Sequence, residues 1–577
     1  MSRKPTNPWF SQVEPAQVVE DPEAFNWDLD TDFLVVGSGA AGASAAAEAT
    51  AQGLRVTMID RYAGGGASAA SGGVLYAGGG TAIQRAAGVD DSPENMLAYL
   101  SMETRGCVTE STLRRFCEQS AETVDWLTAK GVEFRASLYP DKTSYPQIDY
   151  FLYHSDNSLL PEYAARAKPA ARGHRGAGRL SRKQMLTAVG LGGSIVWPLH
   201  DWLRDRGANF MPYTEARQLL VDRSGRVIGA KLLELPAGDA RAEFIAHQRA
   251  AQRLYALIPP ILPGAHYLLR FAVRRFKKAA AIEATRRVVR YVRARKGLCL
   301  AAGGFVFNRR MLAHHAPRYL SGYPLGTPGD DGSGIHLGLT AGGATDRMDN
   351  VTAWRFINPP KAWAEGIVVN RAGERMVNEM AYGARLGHEI AEKHDGRAWL
   401  ILDGALIEKS RQQIAPGKTL AFQRDLARLN MMLGRRKAKT LAALAKKLDI
   451  DAAGLERTVE RYRQAAEGVA ADDFGKPASD CATLLQPPFM AIDVGLAAKL
   501  FPCPTLTLGG LVVDEDTGEV RNTAGQSIAG LYAAGRTAVG VSSGLYVSGL
   551  SIADGIFSGR RAGLHAARGV TWQRSRS

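Results

Sequence analysis

Short apolar runs, each closed by glycine, mark the first third of the chain. Asp32-Phe-Leu-Val-Val-Gly37 predicts a short buried strand, and the alanine-rich stretch from about Gly39 to Gln52 predicts a helix. Leu54-Arg-Val-Thr-Met-Ile-Asp60 predicts a second strand that completes a βαβ unit. Glycine clusters follow at 64–73 and 77–80. Arg226-Val-Ile-Gly-Ala-Lys-Leu-Leu233 predicts an edge hairpin strand, and Gly297-Leu-Cys-Leu-Ala-Ala-Gly-Gly304 repeats the strand-then-glycine pattern.

From about 333 to 494 the pattern changes to longer helices, among them Thr440–Leu448 and Ala453–Glu467, with fewer glycine clusters. Glycine-rich sequence resumes at Leu508-Gly-Gly510 and Leu531-Tyr-Ala-Ala-Gly-Arg536. The expected organisation is a polar lead-in over 1–30, a discontinuous α/β domain over 31–332 and 495–572, and a second, α+β domain inserted over 333–494.

A chain of 577 residues is too long for a single core. With 46% hydrophobic and 22% charged residues it is a globular sequence rather than a disordered one. Five scattered cysteines form no CxxC or CxxCH, which excludes a zinc ribbon and a c-type haem and suits a reducing, cytoplasmic setting. No metal site is expected. The opening Met1-Ser-Arg-Lys lacks an apolar signal region, and no uncharged apolar run reaches the length of a spanning helix.

The net charge of +15 is local. Between Arg241 and Lys296 there are 14 Lys and Arg against Glu243 and Glu283, so +12 of the +15 sits in one segment and the remainder is nearly neutral. That distribution argues against a nucleic-acid-binding body and for one basic insert over 237–296. Its residues 243–296 mix cations with Leu268, Leu269, Phe271, Val273 and Phe276, and predict cation-rich helices suited to an anionic membrane surface.

Gly37-Ser-Gly-Ala-Ala-Gly42 is a GxGxxG placed directly after a strand and opening a helix. Glycine there permits the tight turn, the close approach of backbone to a pyrophosphate, and the contact of helix with strand. Asp60 ends the second strand 18 residues beyond Gly42, where a carboxylate can accept from a ribose hydroxyl. The further clusters Gly72-Gly73, Ala302-Gly303-Gly304 and Gly535-Arg536 point to FAD rather than NAD, because an extended FAD needs close backbone approach at several places.

Taken in order, these motifs with Ser71–Gly80, Leu300–Phe305, Gly329–Gly334, Gly373–Glu379 and Thr507–Leu511 resemble the fumarate-reductase-like FAD flavoproteins, a group that includes the 3-ketosteroid dehydrogenases. The resemblance implies a Rossmann-like FAD-binding domain with an inserted catalytic cap. It implies FAD contacts at Gly37, Gly39, Ala40, Ala41, Gly42, Asp60, Arg61, Ser68, Ser71, Gly72, Gly73, Ala302, Gly303, Asp331, Gly535, Ser551 and Ile552. Tyr382 stands near the place where fumarate reductases carry a catalytic arginine and ketosteroid dehydrogenases a tyrosine. Arg385, three residues on, keeps the fumarate-type alternative open.

Tyr546-Val-Ser548-Gly549 followed by Asp554-Gly555 is similar to the Δ4-(5α) branch of the ketosteroid dehydrogenases, with Δ1-dehydrogenation as the alternative. Tyr145-Pro146 and Phe151–Asn157 also look like that group, with His154 and Asp156 as departures. The resemblance implies oxidation or reduction of a 3-ketosteroid beside its carbonyl, with Tyr546 as principal acid/base, Ser548 orienting the proton and Tyr382 completing the site. Without a haem motif, electrons leave through an external acceptor such as a quinone. Side-chain preference, oligomeric state and physiological direction are left open.

Overall fold

The computed structural model describes residues 11–178, 184, 190–257 and 265–568. The end of the first expected domain, 569–572, and the side chains of Leu268 and Leu269 lie outside the described residues. A nine-stranded sheet organises the first half. Its main path runs Gln17–Val18, Thr214–Val221, Val227–Glu234, Val288–Leu300, Leu29–Val36, Val56–Asp60 and Asn209–Pro212. Ser527–Ala533 adds to the end of Val288–Leu300, and Glu519–Arg521 pairs with Ser527–Ala533. The strands Leu29–Val36, Val56–Asp60 and Val288–Leu300 run parallel, as a βαβ unit requires.

The helix Ala40–Ala51 is buried almost throughout because it is wedged between other helices. A Cβ at Gly559 would lie 2.2 Å from the Ala41 carbonyl oxygen, and one at Gly563 2.4 Å from that of Ala45. Glycines four residues apart on Leu550–Arg568 thus admit the alanine-rich helix at backbone contact.

Four sequence expectations change here. Val227–Glu234 is a hairpin strand, but it lies between Thr214–Val221 and Val288–Leu300 rather than at an edge. The lead-in is not merely polar linker, since Gln17–Val18 pairs with Leu220 and Val221. Residues 288–296, read as basic helix, belong to the long strand Val288–Leu300. Their cations are neutralised across the sheet: Arg290 meets Glu234 at 3.2 Å, Arg295 meets Asp30 at 2.5 Å, and Arg293 pairs with Glu23. The helical part of the insert is therefore the hairpin Asp239–Leu257 and Ala265–Arg286. Finally, the helix Ser333–Thr340, expected to open the second domain, contributes Ser333 and Leu337 to the wall of the glycine-loop cavity.

The second region centres on an antiparallel sheet ordered Ile367–Val369, Trp399–Leu402, Phe489–Asp493 and Arg435–Ala438. The helices Leu441–Leu448 and Ala452–Ala466 pack on each other beside it. Its apolar cluster is continuous with residues of the first region, including Tyr546, Val547 and Leu550. Tyr382 caps the helix Gly383–Lys393 from this region, so the two halves meet where the tyrosines were expected to act.

Candidate active site

The strand Leu29–Val36 delivers Gly37 at φ +104°, where a Cβ would lie 2.3 Å from the Ala301 carbonyl oxygen. A Cβ at Gly42 would lie 1.8 Å from the Gly37 oxygen, so this glycine sets the closeness of turn and helix from behind the site. The Ala40 amide donates to Ser68 Oγ at 3.1 Å, tying the helix N-terminus to the next loop. Asp60 Oδ2 accepts from the Ser38 amide at 3.2 Å and the Ser38 hydroxyl at 2.7 Å. These groups open onto a cavity of about 700 Å³.

Of the expected contacts, Gly37, Gly39, Ala40, Ala41, Asp60, Arg61, Ser68, Ala302, Gly303, Gly535 and Ser551 line this cavity. Gly42, Ser71, Gly72, Gly73, Asp331 and Ile552 do not. The Gly72 carbonyl instead accepts from Tyr145 Oη at 2.5 Å, and Ile552 is in the apolar core. Asp331 is turned away: its carboxylate meets Arg61 at 2.8 Å, and burial raises its pKa. The neighbouring Asp330 takes the lining position. Its Oδ1 accepts from the Gly304 amide at 3.2 Å and Arg536 Nη2 at 2.7 Å.

Beyond Ser551 the aromatic groups gather. Tyr546 stacks on Trp354 with ring centroids 4.9 Å apart, and Tyr382 meets Phe356 edge-on at 5.7 Å. Tyr153 Oη and Ser548 Oγ lie 3.2 Å apart, and Ser548 also hydrogen-bonds Tyr382. The Tyr382 amide donates to Asn157 Oδ1 at 2.7 Å; Asn157 in turn donates to buried Glu103 at 2.7 Å. Three phenols and one hydroxyl therefore share a site. Burial pushes the Tyr546 phenol up to about 12, although Arg536 and the amides of Gly549 and Ser551 pull the other way. Burial likewise raises Tyr382 far above the usual phenol range, and its tyrosine neighbours add to this.

No free guanidinium competes for this aromatic site. Arg385 meets Glu162 at 2.5 Å and donates to Tyr163 Oη at 2.8 Å. Arg355 spends its guanidinium on the Phe501 and Gly495 carbonyls at 2.8 and 2.7 Å. By contrast, Trp354 Nε1 is buried with no hydrogen-bond partner among the described residues.

A family model described as FAD binding domain matches residues 32–549. The chain belongs to this family of FAD-binding flavoproteins. It is 37% identical over 534 residues to a 3-oxo-5-alpha-steroid 4-dehydrogenase of Comamonas testosteroni, covering 91% of this chain and 96% of the relative. A fumarate reductase (cytochrome) of Shewanella frigidimarina is 26% identical over 93% of this chain and 77% of its own. Among solved structures, the 3-ketosteroid-Δ4-(5α)-dehydrogenase of Rhodococcus jostii in complex with 4-androstene-3,17-dione matches with a TM-score of 0.78 and 28% identity, covering 96% of this chain and all of that one. The 3-ketosteroid Δ1-dehydrogenase of Sterolibacterium denitrificans, at 21% identity and TM-score 0.66, shares the fold.

The cofactor of this flavoprotein is FAD, and the protein is an oxidoreductase. The cavity suits that cofactor. Arg536 Nη1 is buried on its wall with no hydrogen-bond partner among the described residues, an unspent donor where an anion fits. Sequence reasoning missed Asp330 because it adjoins an equally plausible carboxylate. It also gave Tyr153 no role, although the similarity of Phe151–Asn157 to the ketosteroid group marked the segment.

Proposed function

We propose that this flavoprotein is a 3-ketosteroid dehydrogenase of the Δ4-(5α) type. The observation that carries the reading is the joining of the two sites. Ser551 lines the cofactor cavity, its amide faces the Tyr546 phenol, and Ser548 between them hydrogen-bonds Tyr382 and approaches Tyr153. The Comamonas relative and the Rhodococcus structure support the same substrate class.

FAD, when bound, supplies the hydride acceptor or donor. The protein's own residues handle the proton. A hydrogen beside a carbonyl is weakly acidic, so its removal needs a base and donors at the carbonyl oxygen. Tyr546 serves as the acid/base and Ser548 passes or orients its proton. Tyr382 presents a neutral phenol on the far side of Ser548. Neutral groups suit an apolar ring system, which brings no charge to compensate an arginine. The engagement of Arg385 with Glu162 and Tyr163 counts against a dicarboxylate substrate. Anaerobic titration with saturated, Δ4 and Δ1,4 3-ketosteroids tests the reading: the saturated compound bleaches the flavin. Bleaching by the Δ4 compound instead assigns Δ1 chemistry, and reoxidation of reduced flavin by fumarate alone overturns the steroid assignment.

The helical hairpin supports peripheral attachment to an anionic membrane. Phe271 and Val273 are 45% and 41% exposed, among Arg270, Arg274, Lys277 and Lys278 on Ala265–Arg286. No described helix is long and apolar enough to cross a membrane. Removal of 236–286 is expected to release the protein from anionic vesicles, as is high salt. A deletion ending at 292 would cut into the strand Val288–Leu300. Retention on vesicles after the shorter deletion would refute the attachment. Reduced flavin is expected to pass its electrons to an external acceptor, for which a quinone is the test compound.

A further inference from the structure

The basic hairpin also faces inward. Ile245, Gln248 and Arg249 of Asp239–Leu257 and Phe276 of Ala265–Arg286 line the cofactor cavity. Periodicity explains how one hairpin serves two faces. Phe244, His247 and Ala251 are buried on the first helix, and Ala272 and Ala279 on the second, which leaves Gln248 and Phe276 beside the buried stripes. Leu235, Phe244 and Ala279 form a small core with Tyr62, Tyr213, Ile245 and Ile282. Glu283 meets Arg61 at 3.5 Å, and Tyr213 packs edge-on against Phe244 at 5.9 Å. The hairpin is thus seated on Arg61-Tyr62, directly after the carboxylate that ends the second strand.

The two ends of the cavity differ. Gly535, Arg536 and Ser551 form the end that continues to the tyrosines, and the flavin ring belongs there. Asp60, Arg61, Tyr62, Tyr213 and Glu215 form the other, with the hairpin above them. The cations Arg61, Arg217 and Arg287 hold Glu215 charged at that end, and they are spent on it. Among the described residues no carboxylate pairs with Arg249.

We propose that the hairpin is the wall of the adenosine half of the FAD site, with Gln248 and Arg249 as cofactor-binding residues and Phe276 as the apolar cover. Arg249 supplies a cation to the ribose-diphosphate side, Gln248 has donors and an acceptor for a base edge, and Phe276 excludes water. This rests on the placement of FAD in the glycine-loop cavity. FMN lacks the adenosine half and does not reach the hairpin.

The test measures binding of FAD, FMN and ADP to the full-length apoprotein by flavin fluorescence quenching and calorimetry. Arg249→Ala and Phe276→Ser are each expected to weaken FAD and ADP about tenfold and to leave FMN within twofold. Asp60→Ala in the same assay reports on the placement itself. Weaker FAD with Asp60→Ala but unchanged FAD with Arg249→Ala, Gln248→Ala and Phe276→Ser overturns the hairpin's role. Unchanged FAD in all four overturns the placement on which it rests.

Discussion

The cofactor cavity and the tyrosine cluster adjoin at Ser551, yet they are built from opposite materials. The cavity is backbone and charge: glycines whose Cβ atoms would strike main chain, an unspent Arg536 donor, and carboxylates held by arginines. The cluster is neutral side chains: Tyr546 on Trp354, Tyr382 on Phe356, and Ser548 between phenols. One side is made for a dianionic ligand and the other for an uncharged one. Nearby arginines would blur this contrast, and each is tied elsewhere, Arg385 to Glu162 and Arg355 to carbonyls. Substrate charge is thus selected by where cations are spent as much as by where they stand.

The contrast breaks most severely at Gly42. A Cβ 1.8 Å from the Gly37 oxygen meets backbone that cannot yield, so Gly42→Val is expected to lower FAD affinity more than about a hundredfold, some 2.8 kcal/mol. Purified protein with a normal flavin spectrum would contradict this. Next is Tyr546→Phe, which is expected to retain FAD while steroid turnover falls at least about 100-fold; near-normal turnover removes Tyr546 from the chemistry. Ser548→Ala is expected to cost about tenfold in turnover, the effect of losing one hydrogen-bonded proton carrier.

A pH profile sharpens the neutral side. With the Tyr546 phenol pushed up to about 12, its deprotonated fraction grows tenfold per pH unit below that value. Dehydrogenation limited by proton removal should therefore climb through pH 9.5 without levelling, whereas a plateau below pH 8 would assign the base to another group. The smallest effect belongs to Arg385→Gln. Its partners are Glu162 and Tyr163, so steroid turnover should change by less than about threefold. A loss of a thousandfold would reinstate a dicarboxylate chemistry.

Legibility in the sequence followed the range of the forces involved. The turn at Gly37–Gly42, its strands and Asp60 were readable because adjacent residues dictate them. The meeting of Tyr382, Tyr546 and Ser548 was not readable from spacing; only the family resemblance brought residues so far apart in sequence together. Residues 288–296 misled because a strand dense in cations is acceptable only when remote carboxylates cover it. Those partners, Glu23, Asp30 and Glu234, come from the lead-in and two other strands. The basic segment likewise gave no sign of its inward side, since whether Gln248, Arg249 and Phe276 face solvent or cofactor depends on what Tyr62 and Tyr213 offer beneath them.

Glu234 and Val288 are direct partners in the antiparallel ladder, although 53 residues separate them in the chain. Both helices therefore hang from what would otherwise be the tip of an ordinary two-strand turn. A tight Asn-Gly link between these partners would restore an uninterrupted ladder, so the appendage is modular: it can be excised here, or transplanted onto a sibling scaffold whose matching strands already end in a short bend.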